Sequence, residues 1–131
     1  MTILLDTHVW LWMVAAPERL GPRARKLLVD PSHVLLLSAA SSWEISIKYA
    51  LGKLDLPEPP ESFVPTRMLR DGIGPLAVDH RHALRVSRLP THHRDPFDRL
   101  LVAQGLVDGL PLMSADGHLD RYGIKVIPAE R

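Results

Sequence analysis

The sequence of 131 residues contains no cysteine. That absence excludes disulfide staples, thiolate zinc sites and a cysteine nucleophile together, and it suits a reducing compartment. No apolar stretch approaches the roughly 20 residues of a membrane-spanning helix. The N-terminus shows no basic region followed by a long apolar run, so a signal peptide is not expected and the cytoplasm is the expected location. Net charge is only +1, so bulk electrostatics do not mark a nucleic-acid binder. Internal repeats and low-complexity tracts are also lacking, which leaves solenoids and disordered tails out of consideration.

What is present is a hydrophobic content of 46%, enough for one domain over residues 1–131 with a core that needs no staples. Charge is unevenly placed. Between Arg67 and Arg99 stand seven arginines (Arg67, Arg70, Arg81, Arg85, Arg88, Arg94, Arg99) against four aspartates, a local net of +3, together with His80, His82, His92 and His93. A local basic field of this kind holds phosphates while the whole chain stays near neutral. For any single arginine, a solvated helix face is an equally good account.

Thr2 to Leu5 run apolar into Asp6, the pattern of a strand buried on both faces, with the acid at its carboxyl end. In open α/β sheets that edge binds ligands, although Asp6 would also serve as the N-cap of a helix starting near His8. A second helix is predicted over Glu18 to Asp30, with Pro22 in its first turn. His33 to Leu37 is a second strand, closed by Ser38, and Ser38 to Leu51 a helix ending at Gly52. Glu44 lies in its early turns and has two structural explanations. Ser41-Ser42-Trp43-Glu44 matches a capping box, and Lys48 lies four residues on, in the favourable Glu-to-Lys order. Three prolines in Leu54 to Pro60 mark a linker within the domain. Glu61 to Arg70 reads as helix, Ile73 to Val78 as a short strand near an edge, and Asp79 as the cap of another helix. Asp95 before Pro96 is a helix start, with Asp98 suited to the positive end of the helix dipole. Asp98 is nevertheless followed at helical spacing by Leu101, Val102 and Gly105, an apolar row on which a carboxylate wants a counter-charge. Leu110 to Ser114 and Tyr122 to Ile127 complete the strands. Asp116 precedes Gly117, an ordinary turn signal, and His118 and Asp120 are expected in solvent.

Each acid thus follows a strand or opens a helix, and right-handed crossovers bring strand ends and helix starts to one rim. Asp6, Glu44, Asp98 and Asp116 are expected to converge, and a hard divalent cation is the usual neutraliser of such a cluster. Leu4-Leu5-Asp6-Thr7-His8, Ser41-Ser42-Trp43-Glu44-Ile45, Arg94-Asp95-Pro96-Phe97-Asp98-Arg99-Leu100-Leu101 and Ser114-Ala115-Asp116 together resemble the motifs of PIN-domain ribonucleases of the VapC type, the toxin half of type II toxin-antitoxin pairs. The likeness covers essentially the whole chain in order and length. It implies a three-layer α/β/α domain around a short, mainly parallel sheet of four to five strands.

Carried over position by position, the resemblance makes Asp6, Glu44, Asp98 and Asp116 the acidic metal site and leaves Asp95 to capping. The family usually has threonine where this chain has Ser114; a hydroxyl is retained, so its hydrogen bond is expected to survive. The resemblance further implies Mg²⁺-dependent cleavage of RNA, with Mn²⁺ as a substitute and a structured RNA such as tRNA as substrate, leaving a 5'-phosphate and a 3'-hydroxyl. It implies a homodimer and a VapB-like antitoxin whose apolar helix lies over a groove in the toxin. Trp10, Trp12, Tyr49 and Leu51 are candidates for such contacts, with core packing as the competing account of the tryptophans. The non-enzymatic alternative is a PIN-like module whose acids only cap helices and whose business is binding a partner. Phosphatases of the haloacid-dehalogenase type are disfavoured because His8 stands where their second aspartate is needed. Response-regulator receivers are disfavoured because the acidic pair and the late lysine are missing.

Overall fold

In a computed structural model of the chain, which describes residues 1–91 and 95–130, the architecture follows from the strand pattern. Strand β1 is Thr2–Leu5, β2 Val34–Ser38, β3 Gly74–Leu76, β4 Leu112–Ser114 and β5 Val126–Pro128. They form one sheet in the order β3-β2-β1-β4-β5, with every neighbouring pair parallel. Central β1 alternates its side chains between two cores. Ile3 and Leu5 join Val9, Trp10, Leu37, Ile45 and Phe63 on one face, and Leu4 joins Leu101, Val102, Ala103 and Leu112 on the other. A parallel sheet covered on both faces in this way requires apolar strands throughout, as β1 and β2 show. The result is the expected three-layer α/β/α arrangement.

Among the described residues, six α-helices connect the strands: α1 (Thr7–Ala15), α2 (Pro22–Val29), α3 (Ala39–Ala50), α4 (Pro60–Asp71), α5 (His80–Arg85) and α6 (Pro96–Asp108). The chain steps outward from β1 through β2 to β3, then returns to place β4 on the other side of β1. The order therefore reverses at β1, and the crevice beyond its carboxyl end is where such sheets leave room for a ligand. Asp6 stands there.

Several boundaries differ from expectation for local reasons. The helix predicted from Glu18 starts at Pro22, after a 3-10 turn at Pro17–Arg19. Proline as first helical residue disfavours helical backbone before it, and Gly21 is extended at φ −73°, ψ 165°. The strand predicted over Tyr122–Ile127 begins only at Val126, because Tyr122 closes a 3-10 turn and Gly123 follows at φ 85°. The capping box expected at Ser41 and Glu44 is not formed. Helix α3 starts earlier, capped by the Ser38 hydroxyl, which accepts from the Ala40 amide. His82, buried on α5, was not singled out by its sequence context. Its Nδ1 accepts from the Asp79 amide (3.1 Å), so Nε2 carries the proton donated to Asp108 (2.9 Å), tying α5 to α6. His92, His93 and Arg94 lie outside the described residues.

Gly105 fixes how closely α6 approaches the segment before β5. A Cβ there would overlap the Ile124 Cδ1 methyl and come within 2.9 Å of the Leu110 carbonyl oxygen. A methyl side chain flexes, whereas a backbone carbonyl does not. Gly105→Ala is expected to destabilise the fold by about 1–3 kcal/mol through overpacking, measured as a lower urea midpoint at unchanged slope.

Candidate active site

Asp6 occupies the backbone position of an N-cap for α1, yet its carboxylate makes no capping hydrogen bond. Instead Oδ2 accepts from the Ser114 hydroxyl at 2.7 Å. The capping account of Asp6 is thereby set aside: its side chain points across to β4. The same Ser114 oxygen accepts from the Asp116 amide at 3.0 Å, so the hydroxyl expected from the motif does join the first and last acids. Ser114 and Asp6 are both buried, and a bond between such groups fixes the carboxylate's rotamer.

Glu44 is also buried, at 4% exposure. Its Oε2 accepts from Lys48 Nζ at 2.6 Å, with Lys48 partly in solvent. Of the two explanations offered for Glu44, the pairing with Lys48 is the one found. Helix α3 is held by polar ties that the sequence did not announce. Thr7 Oγ1 donates to Ser41 Oγ at 2.8 Å, one turn before Glu44, and the Ser38 hydroxyl bonds Gln104 on α6. Gln104 also donates to the Ala77 carbonyl. The only signal for Gln104 was a polar residue on an otherwise apolar helix face.

Asp95 caps α6 as expected, accepting from the amides of Phe97 and Asp98. Asp98, in the first turn, has its carboxyl pushed up to about 8. Burial is the largest cause, followed by the negative charges of Asp6, Asp95, Glu44 and Asp116. Asp6 is shifted upward too, again by burial first, with Ser114 and His8 opposing and Glu44 contributing. Asp6, Glu44 and Asp116 therefore lie near enough to Asp98 to repel its charge, and Glu44 near enough to Asp6 to do the same. Asp116 additionally accepts from the His118 amide. Among the described residues, no three acidic or histidine side chains close into a finished metal-binding set.

Three of the seven arginines of the basic stretch are tied into the structure. Arg67 pairs with Asp71, and Arg81 pairs with Asp79 and Asp108. Arg99 donates to the carbonyls of Pro90, Val86 and Leu89. The pairing of Arg67 and Arg81 makes the local field narrower than the sequence suggests, while Arg85 and Arg88 form no ion pair among the described residues.

A doubly covered parallel sheet with acids gathered beyond its central strand is the arrangement of a known class, and the sequence agrees. The chain belongs to the PIN domain family, whose model matches residues 3–125. Among individual proteins it is similar to ribonuclease VapC22 of Mycobacterium tuberculosis, at 28% identity over 119 residues, 90% of this chain and 89% of that one. It is also similar to ribonuclease VapC16 of the same organism, at 57% identity over 58 residues. That second match spans 44% of this chain and only 41% of the relative. Among solved structures, the fold matches VapBC2 from Rickettsia felis bound to a promoter DNA fragment, with a TM-score of 0.72 at 13% identity over 98% of this chain and 99% of that one. VapBC-1 from nontypeable Haemophilus influenzae follows at a TM-score of 0.65 and 16% identity over 98% of each.

Proposed function

We propose that the chain is a divalent-metal-dependent endoribonuclease of the VapC toxin type, using Mg²⁺ with Mn²⁺ as a substitute. The observation that carries this is the Ser114 hydroxyl tying the buried Asp6 carboxylate to the Asp116 amide, with Asp6, Glu44 and Asp116 near enough to Asp98 to repel its charge. An all-oxygen, strongly negative donor set fits a hard cation and suits neither thiophilic nor imidazole-bound metals. When bound, such an ion supplies positive charge to phosphodiester oxygens and acidifies water.

The residues divide the remaining work. Asp6, its rotamer fixed by Ser114, and Asp98, at the start of α6, would hold the cation most directly. Glu44 and Asp116 orient the attacking water and take its proton. Lys48 keeps Glu44 in place. Water attacks phosphorus in line, the bond to the 3'-oxygen breaks, and that oxygen collects a proton, giving a 5'-phosphate and a 3'-hydroxyl. The substrate is RNA, with a structured molecule such as tRNA the class suggested by family likeness.

A homodimer neutralised by a VapB-like antitoxin completes the proposal. The apolar helix of such an antitoxin finds a trough of about 500 Å³ against α1 and α2, bordered by Met13, Pro17, Leu20, Leu28 and Val29. Val29 is 79% exposed there, and Glu18 and Arg25 complete the border. Trp10 takes no part in such contacts, because it is fully buried and packs edge-on against Phe63. Trp12 is covered by Arg19, 4.3 Å from the ring centre, and Leu51 remains exposed.

Crystals soaked in millimolar Mn²⁺ are expected to show anomalous density among the four acids. An empty cleft under those conditions, together with intact RNA after incubation, would favour the catalytically silent binding module.

A further inference from the structure

What Lys48 neutralises sets it apart from an ordinary helix-surface lysine. Its Nζ lies 2.6 Å from Glu44 Oε2, and the Glu44 side chain is only 5% exposed against 37% for Lys48. The other Arg/Lys–acid pair at the same spacing, Arg67 with Asp71 on α4, has the looser form of the contact: it is 3.6 Å long and its acid is 29% exposed. A pair open to solvent in that way contributes little. A buried carboxylate is different, because leaving it without a counter-charge is costly. Glu44 draws that counter-charge from its own helix, one turn on, while lying near enough to Asp6 and Asp98 to repel both. The acid group therefore contains a fixed positive charge before any ion arrives.

We infer that the Lys48 ammonium takes the place of a second metal ion, so that the chain binds one divalent cation rather than two. This rests on the metal-dependent nuclease proposal and adds the stoichiometry of its site. Enzymes that use two ions on a phosphodiester hold them about 3.5–4 Å apart, and each ion needs its own share of oxygen ligands. A second ion here would have to draw on Glu44. Its Oε2 already accepts from Nζ, and Mg²⁺ demands near-ideal octahedral geometry at about 2.0–2.1 Å from each oxygen. Ammonium and metal ion thus exclude one another at that atom. The competition favours the ammonium, because Lys48 is delivered by the same helix at the spacing that brings side chains together and acts as a tethered group, not at the concentration of a free ion. With Oε2 held by Lys48, Glu44 keeps Oε1 for the attacking water, and the charge that a second ion would supply beside it is built into the fold.

The test counts ions on the full chain after EDTA treatment. With Mn²⁺ uptake followed by the electron paramagnetic resonance of the free ion, wild type is expected to bind one Mn²⁺ per chain and to show no spin-coupled pair. Lys48→Met, similar in length but uncharged, releases Glu44 and is expected to bind two, with the coupled signal of neighbouring ions. Lys48→Arg keeps the charge and should stay at one. A lysine that only steadied α3 would lower the melting temperature on substitution and leave the three counts alike. Two ions on wild type overturn the inference, and this count does not depend on how well any variant folds. One ion on a Lys48→Met protein with wild-type circular dichroism overturns it as well. Failure of the nuclease proposal reads differently: wild type binds its single Mn²⁺ and leaves RNA intact.

Discussion

Asp6→Asn and Asp98→Asn are each expected to abolish the proposed RNA cleavage, lowering kcat by about a thousandfold or more while circular dichroism stays unchanged. The size follows from what asparagine keeps and removes. In Asp6→Asn the amide oxygen still accepts from Ser114, so the rotamer tie between β1 and β4 survives and the fold has no reason to shift. The negative charge is lost, and with it the strongest attraction for a cation beyond the central strand. Loss of one preorganised electrostatic group at a reacting centre typically lowers kcat by about 10²–10³, and a group that also holds the metal loses more. The two changes are not additive, because either one alone dismantles the same site. The measurement is a Mg²⁺ titration of cleavage by each single variant and by the pair, after EDTA treatment. Retained activity in the purified double variant would defeat the assignment.

The same residues show how far the sequence reached and where it stopped. The strand-then-acid pattern at Thr2–Asp6 and the Asp95-Pro96 helix start were legible because each has a single local cause: burial on both faces in one case, capping chemistry in the other. An approach of Asp6, Glu44 and Asp116 to Asp98 was expected from topology, since parallel strands joined by helices bring their carboxyl ends to one edge. The partner of Glu44 was only half legible. Lys48 is local, at four residues' distance, and was weighed. The capping box was also local, and it failed because Ser38 began α3 three residues earlier. What could not be read were ties between distant segments. Ser38 to Gln104 and Thr7 to Ser41 join residues 66 and 34 positions apart, and no periodicity encodes a polar pair that exists only once two helices have packed. The Trp43–Phe97 ring contact belongs to the same group. Trp43 and Phe97 lay inside recognised motifs, but their meeting depends on the placement of α3 against α6.

In the absence of metal the protein is expected to lose stability as pH rises from about 4 to about 8, the reverse of the usual acid denaturation. The sign follows from Asp98. Its carboxyl titrates at about 8 in the folded chain against 3.8 for the ordinary group, so between those values the folded state binds the proton that the unfolded state has released. Stability from this group is fully present below pH 4 and is lost as pH climbs through 8. Asp6 is displaced in the same direction and deepens the loss. The complete shift would correspond to several kcal/mol; because Asp98 is partly exposed, solvent screening reduces this to roughly 1–3 kcal/mol. Asp79 acts oppositely but in a separate window. Its carboxyl is held down at about 2, chiefly by the hydrogen bond from Arg81, so its contribution is present above pH 4 and fades only below it. Urea midpoints in EDTA at pH 4, 6 and 8 should fall stepwise for the wild type. Asp98→Asn, with no proton to lose, should flatten that dependence and be the more stable protein at pH 8. Adding Mg²⁺ at pH 8 should then restore the wild type by mass action and leave the variant nearly unmoved. A wild type equally stable at pH 4 and pH 8, or a variant that follows its slope, would show that the acids do not share the cleft as the geometry places them.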